Sequence, residues 1–217
     1  DPAVAEKLVP HDHPFGSKRT LIDTNYFETY NRDNVTLVDL NEEPIVEITE
    51  TGIRTEANHF DFDVIVYATG FDALTGSFNR IDFQGRGGEK LKDKWSAGPL
   101  TYLGLTTAGF PNLFMITGPG SPSVLSNTIV HMRDNDLDLI EAEPDAETAW
   151  VEHVNEVAKP TMFMRANSWY LGANIPGKPR VFMPYSGGLG PYRERCNEIV
   201  ANDYEGFTFR EPSLSGR

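Results

Sequence analysis

Lys18 and Arg19 are adjacent cations suited to holding two different anions. In an extended segment successive side chains point to opposite faces, so each residue can serve its own ligand. A guanidinium stays protonated and presents a planar fork of donors, so it stabilises an anion without surrendering its proton. An ammonium is a compact point charge that suits a phosphate. By residue type alone, the pair reads as a solvated stretch of polar loop. Trp169 sits in a glycine-rich loop. By residue type its indole reads as an anchor of that loop to a core. Ser121-Pro122-Ser123 supplies a capping hydroxyl and a proline suited to a first helical turn. A helix starting there aims its positive end backward, toward the preceding strand edge. His11 and His13 lack a third ligand nearby and read as solvated loop residues rather than a metal site. The single cysteine, Cys196, rules out an intrachain disulfide and a cysteine-rich zinc site, and fits a reducing cytoplasm.

The elements that position these residues begin with the run Asp63-Val64-Ile65-Val66-Tyr67-Ala68-Thr69-Gly70-Phe71-Asp72. Strands buried on both faces read as short, β-branched, apolar runs. Ligands of open α/β sheets sit outside the carboxyl ends of strands. Gly70 then implies close backbone approach or a positive φ; the run also reads simply as a buried strand ending in a turn. A second run, Asn112 to Thr117, ends in Gly118-Pro119-Gly120. Two buried strands ending in glycine turns predict a ligand edge where their ends lie together. Further strands are expected at Val35–Val38 and in a hairpin about Thr51-Gly52, from Ile45–Thr49 to Ile53–Thr55. Residues 71–111 read as loop, with Trp95 and Tyr102 as anchors. A short helix is expected over about 124–133. A stronger one begins at Pro144, with Trp150, Val151, Val154 and Val157 on one face, and ends before Pro160. Residues 167–191 read as loop, and a last helix spans about 192–202.

With 19 basic and 32 acidic residues the formal charge is −13, which disfavours nucleic acid and anionic membranes. Apolar residues make up 39%, enough for a folded globular chain. No apolar run approaches the roughly 20 residues of a membrane span. The N-terminus lacks a signal-peptide pattern, so a cytoplasmic location is expected.

Several motifs occur together and in order. They are Pro14 to Arg19, Tyr26 to Val35, Asp63 to Asp72, Gly109 to Phe114, Gly118 to Ser123, and Trp169 to Lys178. In this combination the chain resembles the C-terminal part of the type I Baeyer–Villiger monooxygenases, the flavoproteins that include phenylacetone and cyclohexanone monooxygenases. The resemblance covers nearly the whole chain. It implies an α/β fold of two dinucleotide-binding domains, one for FAD and one for NADPH, of which incomplete Rossmann-like parts are present. Residues 1–71 would be the end of the NADPH domain and the return crossing, and 72–217 the C-terminal part of the FAD domain. The implied reaction uses NADPH and O2 to insert one oxygen beside a ketone carbonyl, giving an ester or lactone through a C4a-peroxyflavin. Arg19 would be the catalytic cation that keeps that species anionic and stabilises the oxyanion of the adduct. Lys18 would approach the NADPH 2′-phosphate, and Trp169 would fold over the bound cofactor. Ala68, Thr69 and Gly70 would lie beside the cofactors, and Ser123, Val124, Leu125 and Ser126 would line the substrate pocket. Asn127 receives no role.

The chain departs from the family pattern in two places. No Gly-x-Gly-x-x-Gly occurs, so the phosphate-cradling turns for both cofactors belong to a missing N-terminal half. After Asn127 the sequence passes almost at once to His131-Met132-Arg133, where the family has a helix of several turns, so an internal gap is expected there. The alternative to an enzyme portion is a non-catalytic flavoprotein-derived module that binds a partner or serves as a subunit. Both readings imply an exposed apolar face. The Trp169 loop and the Lys18-Arg19 context argue against an N-hydroxylating flavin monooxygenase.

Overall fold

The computed structural model describes residues 1–121 and 128–211. Ser123, Val124, Leu125 and Ser126, at the start of the helix expected over about 124–133, lie outside the described residues; from Thr128 onward that stretch is helical. The chain divides into two compact units: Asp1–Pro14 with Arg19–Gly70, and Phe15–Lys18 with Phe71–Arg217.

The first unit opens with helix α1 (Pro2–Leu8), where the Asp1 side chain accepts the Ala3 N–H at 2.8 Å and proline starts the helix. A single turn, α2 (Tyr26–Thr29), follows. Strands β1 (Ile45–Ile48), β2 (Gly52–Thr55) and β3 (His59–Asp61) form an antiparallel sheet in that order. The expected hairpin is present, with Ile48 opposite Ile53. The Gly52 N–H donates to Thr49 Oγ1 at 3.0 Å, which closes the turn. A Cβ at Gly52 would lie 1.8 Å from the Phe60 carbonyl oxygen, so the register of β2 against β3 requires glycine there.

Two strand expectations fail in this unit. Val35–Val38 lies outside any strand, and the run from Asp63 forms none, since β3 ends at Asp61 before it begins. Val64 and Val66 are 75% and 81% exposed. A strand buried on both faces needs hydrogen-bonding neighbours and covering layers. Among the described residues no strand pairs with 62–70.

The second unit holds the core. It contains single turns α3 (Gly76–Asn79) and α4 (Leu91–Lys94), helix α5 (Thr128–Asp134), strand β4 (Leu139–Ala142), helices α6 (Pro144–Ala158) and α7 (Leu189–Ala201), and strand β5 (Phe207–Arg210). Strands β4 and β5 pair antiparallel. Helix α6 matches its sequence signals: proline at the start, Asp145 and Glu147 in the first turn, and Pro160 just past the end. Its buried face, Trp150, Val154 and Ala158, recurs every fourth residue. Helix α7 begins at Leu189, before the expected Tyr192, because Gly188 supplies the turn into it at φ 88.

Tyr102, Leu103 and Leu105 pack with Trp150, Val154, Tyr192 and Ile199 in one core cluster. Leu91, Trp95, Phe110 and Met115 form another. The expected strand Asn112–Thr117 is irregular backbone. Asn112 and Thr117 have φ of 60 and 58, the Met115 N–H donates to the Leu105 carbonyl at 2.7 Å, and Ile116 is 73% exposed. Only Met115 of that run is buried, and the left-handed residues at both ends stop it from extending.

Glu147 is buried on α6. Its carboxylate accepts Thr107 Oγ1 at 2.8 Å, the Ala108 N–H at 2.9 Å and Lys94 Nζ at 2.8 Å. Removing one side of a buried ion pair leaves the other uncompensated. Glu147→Ala is therefore expected to lower the unfolding free energy by about 3–5 kcal/mol in urea titration. Burial also pushes the Tyr102 hydroxyl from 10.0 up to about 12. Below pH 10 the folded and unfolded chains both keep that proton. As pH rises further the unfolded chain loses it first, so stability falls. The expected slope is about 1.4 kcal/mol per pH unit between 10 and 12, reduced in Tyr102→Phe.

Candidate functional site

The segment Gly118–Ser121 is tied down on several sides. Thr101 Oγ1 donates to the Pro119 carbonyl at 2.7 Å, the Gly120 N–H donates to the Met183 carbonyl at 2.7 Å, and Trp150 Nε1 donates to the Gly120 carbonyl at 3.3 Å. Ser121 Oγ lies 3.5 Å from the Tyr192 hydroxyl, which itself donates to the Leu103 carbonyl at 2.8 Å. Gly104 and Gly118 pass backbone to backbone. A Cβ on Gly104 would sit 2.4 Å from Ser121 N, and one on Gly118 2.3 Å from the Gly104 carbonyl oxygen. The glycine turn stood out in the sequence, whereas its partner did not. Leu103-Gly104-Leu105 carries no signal that another backbone crosses it.

The loop bearing Trp169 is held in a different way. Trp169–Leu171 is one 3-10 turn. Trp169 is 37% exposed, rests on Tyr170 with ring centroids 4.1 Å apart, and has no hydrogen-bond partner for its indole N–H among the described residues. Tyr170 is the anchor: it packs edge-on against Phe163 at 5.1 Å and, half-buried, against the main core cluster. The core-anchor role open to Trp169 thus falls to its neighbour. Beside it, Ser168 Oγ is buried with no partner among the described residues, which costs about 1–3 kcal/mol. The loop returns through Asn174 and Lys178. Asn174 Nδ2 donates to the Phe71 carbonyl at 2.8 Å; Lys178 Nζ donates to Asp72 Oδ1 at 2.5 Å and to the Ala73 carbonyl at 2.9 Å.

Lys18 is half-buried in the second unit and follows the fully buried Ser17. Arg19 belongs to the first unit, is exposed, and makes no hydrogen bond or ion pair among the described residues. Ala68, Thr69 and Gly70 are exposed at the end of the first unit. Gly70 has the positive φ expected of it, 84, and nothing lies within 4 Å of where a Cβ would be. Within single units, the structure brings together the Trp169 loop and the Phe71–Ala73 segment.

No protein-family model matches the chain. It is 45% identical over 227 residues to 2-oxo-Δ3-4,5,5-trimethylcyclopentenylacetyl-CoA monooxygenase from Pseudomonas putida, covering 95% of this chain and 41% of that protein. It is 42% identical over 220 residues to cyclohexanone 1,2-monooxygenase from Acinetobacter sp, covering 95% of this chain and 40% of that protein. Its fold superposes on the OTEMO complex with FAD and NADP with a TM-score of 0.90 at 44% identity, covering 97% of this chain and 41% of that one. Over nearly its whole length the chain is thus similar to Baeyer–Villiger monooxygenases.

The chain spans about 40% of the length of the curated relatives it matches. The stretch aligned with the Pseudomonas relative is 227 residues long against 217 in the whole chain, so that relative carries residues with no counterpart here. A phenazine N-monooxygenase from Lysobacter antibioticus is 41% identical over 95% of the chain. Similarity at this level is therefore shared with a relative named for nitrogen oxidation. The fold is the mixed helix-and-sheet arrangement of these flavoproteins.

The close approach of Gly104 to Ser121 generates a direct test. Gly104→Ala must bear a left-handed φ of 66 and a backbone clash together. It is expected to cost about 3–5 kcal/mol in thermal or urea unfolding. Gly177→Ala, at φ 76 with open space around the Cβ, should cost only about 1 kcal/mol.

Proposed function

We propose that this chain is part of a FAD- and NADPH-dependent Baeyer–Villiger monooxygenase that inserts one oxygen from O2 beside a ketone carbonyl to give an ester or lactone. The observation that carries the reading is the close match, in sequence and fold, to relatives named for that chemistry and held with FAD and NADP. The residues present suit such cofactors. Arg19 is a cation unclaimed by hydrogen bond or ion pair among the described residues, and the Trp169 indole N–H is likewise unpaired. The backbone at Gly70 leaves room for close approach.

When bound, NADPH and FAD would supply the hydride and the oxygen activation. Arg19 would stabilise negative charge developing on the substrate carbonyl oxygen while remaining protonated throughout. Lys18 would pair with a cofactor phosphate as a point charge. Trp169 would donate its indole N–H to the ribose and exclude water with its ring. Ser123, Val124, Leu125 and Ser126 would line an apolar substrate pocket. Residues 1–71 would complete the NADPH domain and 72–217 the FAD domain, a division supported by the change of compact unit at Gly70 and Phe71. The residues without counterpart would fall after Asn127, and the rest of the enzyme would be this chain's principal partner. The reading implies a cytoplasmic protein, where NADPH is regenerated.

Oxygen transfer to a nitrogen atom is the second reading, favoured by the phenazine N-monooxygenase relative. Arg19→Ala in the complete protein separates the steps. Flavin reduction by NADPH should persist while ester formation falls about 100-fold or more, the scale of a lost oxyanion donor. Normal ester yield would remove Arg19 from the chemistry. Absence of bound flavin in the complete wild-type protein would instead favour a non-catalytic module.

A further inference from the structure

We infer that Asp72 and Lys178 are positioning residues whose ion pair latches the Trp169 loop in its ligand-binding arrangement; the ligand part of this inference rests on the cofactor reading above. The Lys178 ammonium has only 9% of its side chain exposed, and its two recorded acceptors, Asp72 Oδ1 and the Ala73 carbonyl, both belong to the first residues of the second unit. The Asn174 amide adds a third bond, to the Phe71 carbonyl. Three successive residues therefore receive the far end of one loop.

Both partners are set in place by glycines. A Cβ at Gly76 would lie 2.6 Å from Asp72 Cβ and Cγ, so that glycine lets α3 close onto the aspartate. A Cβ at Gly172 would lie 2.9 Å from the Pro179 carbonyl oxygen and 3.2 Å from Lys178 Cδ, so the loop folds back on the lysine stem. The Arg180 guanidinium donates to the Gly172 carbonyl at 2.5 Å and closes the same fold. A buried ammonium held by one carboxylate and one carbonyl is costly to leave unpaired. Its loss frees the end of the loop opposite Tyr170, the aromatic that ties the beginning to the core. Trp169 rests on Tyr170, its backbone carbonyl accepts the N–H of Gly172, the residue folded against the Lys178 stem, at 3.1 Å, and its side chain has no recorded polar bond among the described residues. Its position therefore depends on both.

The test uses the complete protein with Lys178→Met, the milder Asp72→Asn, and Lys178→Arg as the charge-preserving variant. The readouts are amide hydrogen exchange, FAD content, and the NADP+ dissociation constant. In Lys178→Met, exchange over residues 168–178 is expected to quicken about tenfold or more, as for loss of a charged hydrogen bond, with α6 and the β4–β5 pair unchanged. The NADP+ dissociation constant should rise about tenfold with FAD content intact, and Lys178→Arg should recover most of both effects. Asp72→Asn should shift both in the same direction by less. Unchanged exchange in the loop of both Lys178→Met and Asp72→Asn would overturn the latch. Faster exchange with unaltered NADP+ affinity would overturn the positioning role. If the wild-type protein binds no NADP+, the cofactor reading fails, and the exchange result still decides the latch.

Discussion

The buried carboxylate of Glu147 is the constraint on which the second unit depends. It is the only one of the acidic residues on α6 that lies buried, and it joins that helix to two segments distant in sequence: Lys94 at the end of α4, and the 107–108 turn through the Thr107 hydroxyl and the Ala108 amide. A desolvated charge is tolerated only with its hydrogen bonds satisfied. The helix is thus held in one rotation against the 101–110 turn. That rotation places Trp150 and Val154 in the core and brings the Trp150 indole to the Gly120 carbonyl. The glycine contact at Gly104 and Gly118 is possible because the turn is fixed from the α6 side.

Charge acts differently at the surface. The chain carries a formal −13, and several of its ion pairs are exposed, such as Arg54 with Glu47 at 2.8 Å. Pairs of that kind contribute little because water competes for them. The pairs that organise the structure, Lys94 with Glu147 and Lys178 with Asp72, have the least exposed lysines. Arg19, by contrast, is an exposed guanidinium with no recorded acceptor in the described chain. The two buried lysines are occupied in holding the fold, whereas Arg19 is free for an external anion.

The apolar surface shows what the sequence pattern meant. Val64, Val66, Phe71 and Ile116 belong to the two runs that read as buried strands, and Phe71 is 87% exposed. Periodicity and composition marked these residues for burial, and in the described chain they stand exposed. They did not report whether the burying partners lie among the described residues. Strand pairing is a long-range interaction, so an apolar run with no neighbour to pair with forms no strand. The β1–β2 hairpin formed as expected because its partner is the next segment along the chain.

By itself the sequence determined whatever depends on neighbouring residues: the span of α6 from its proline, acidic first turn and apolar spacing, the hairpin at Gly52, the positive φ of Gly70, and the order of motifs that marks the family. The three-dimensional structure alone decided matters that rest on residues far apart in the chain. It made Tyr170 rather than Trp169 the loop's anchor, tied Lys178 to Asp72 across more than a hundred residues, and set Gly104 under Ser121. Local propensities carry information over a few residues. Desolvated ion pairs and backbone crossings are selected by the packing of the whole unit, and no short window of sequence contains both partners.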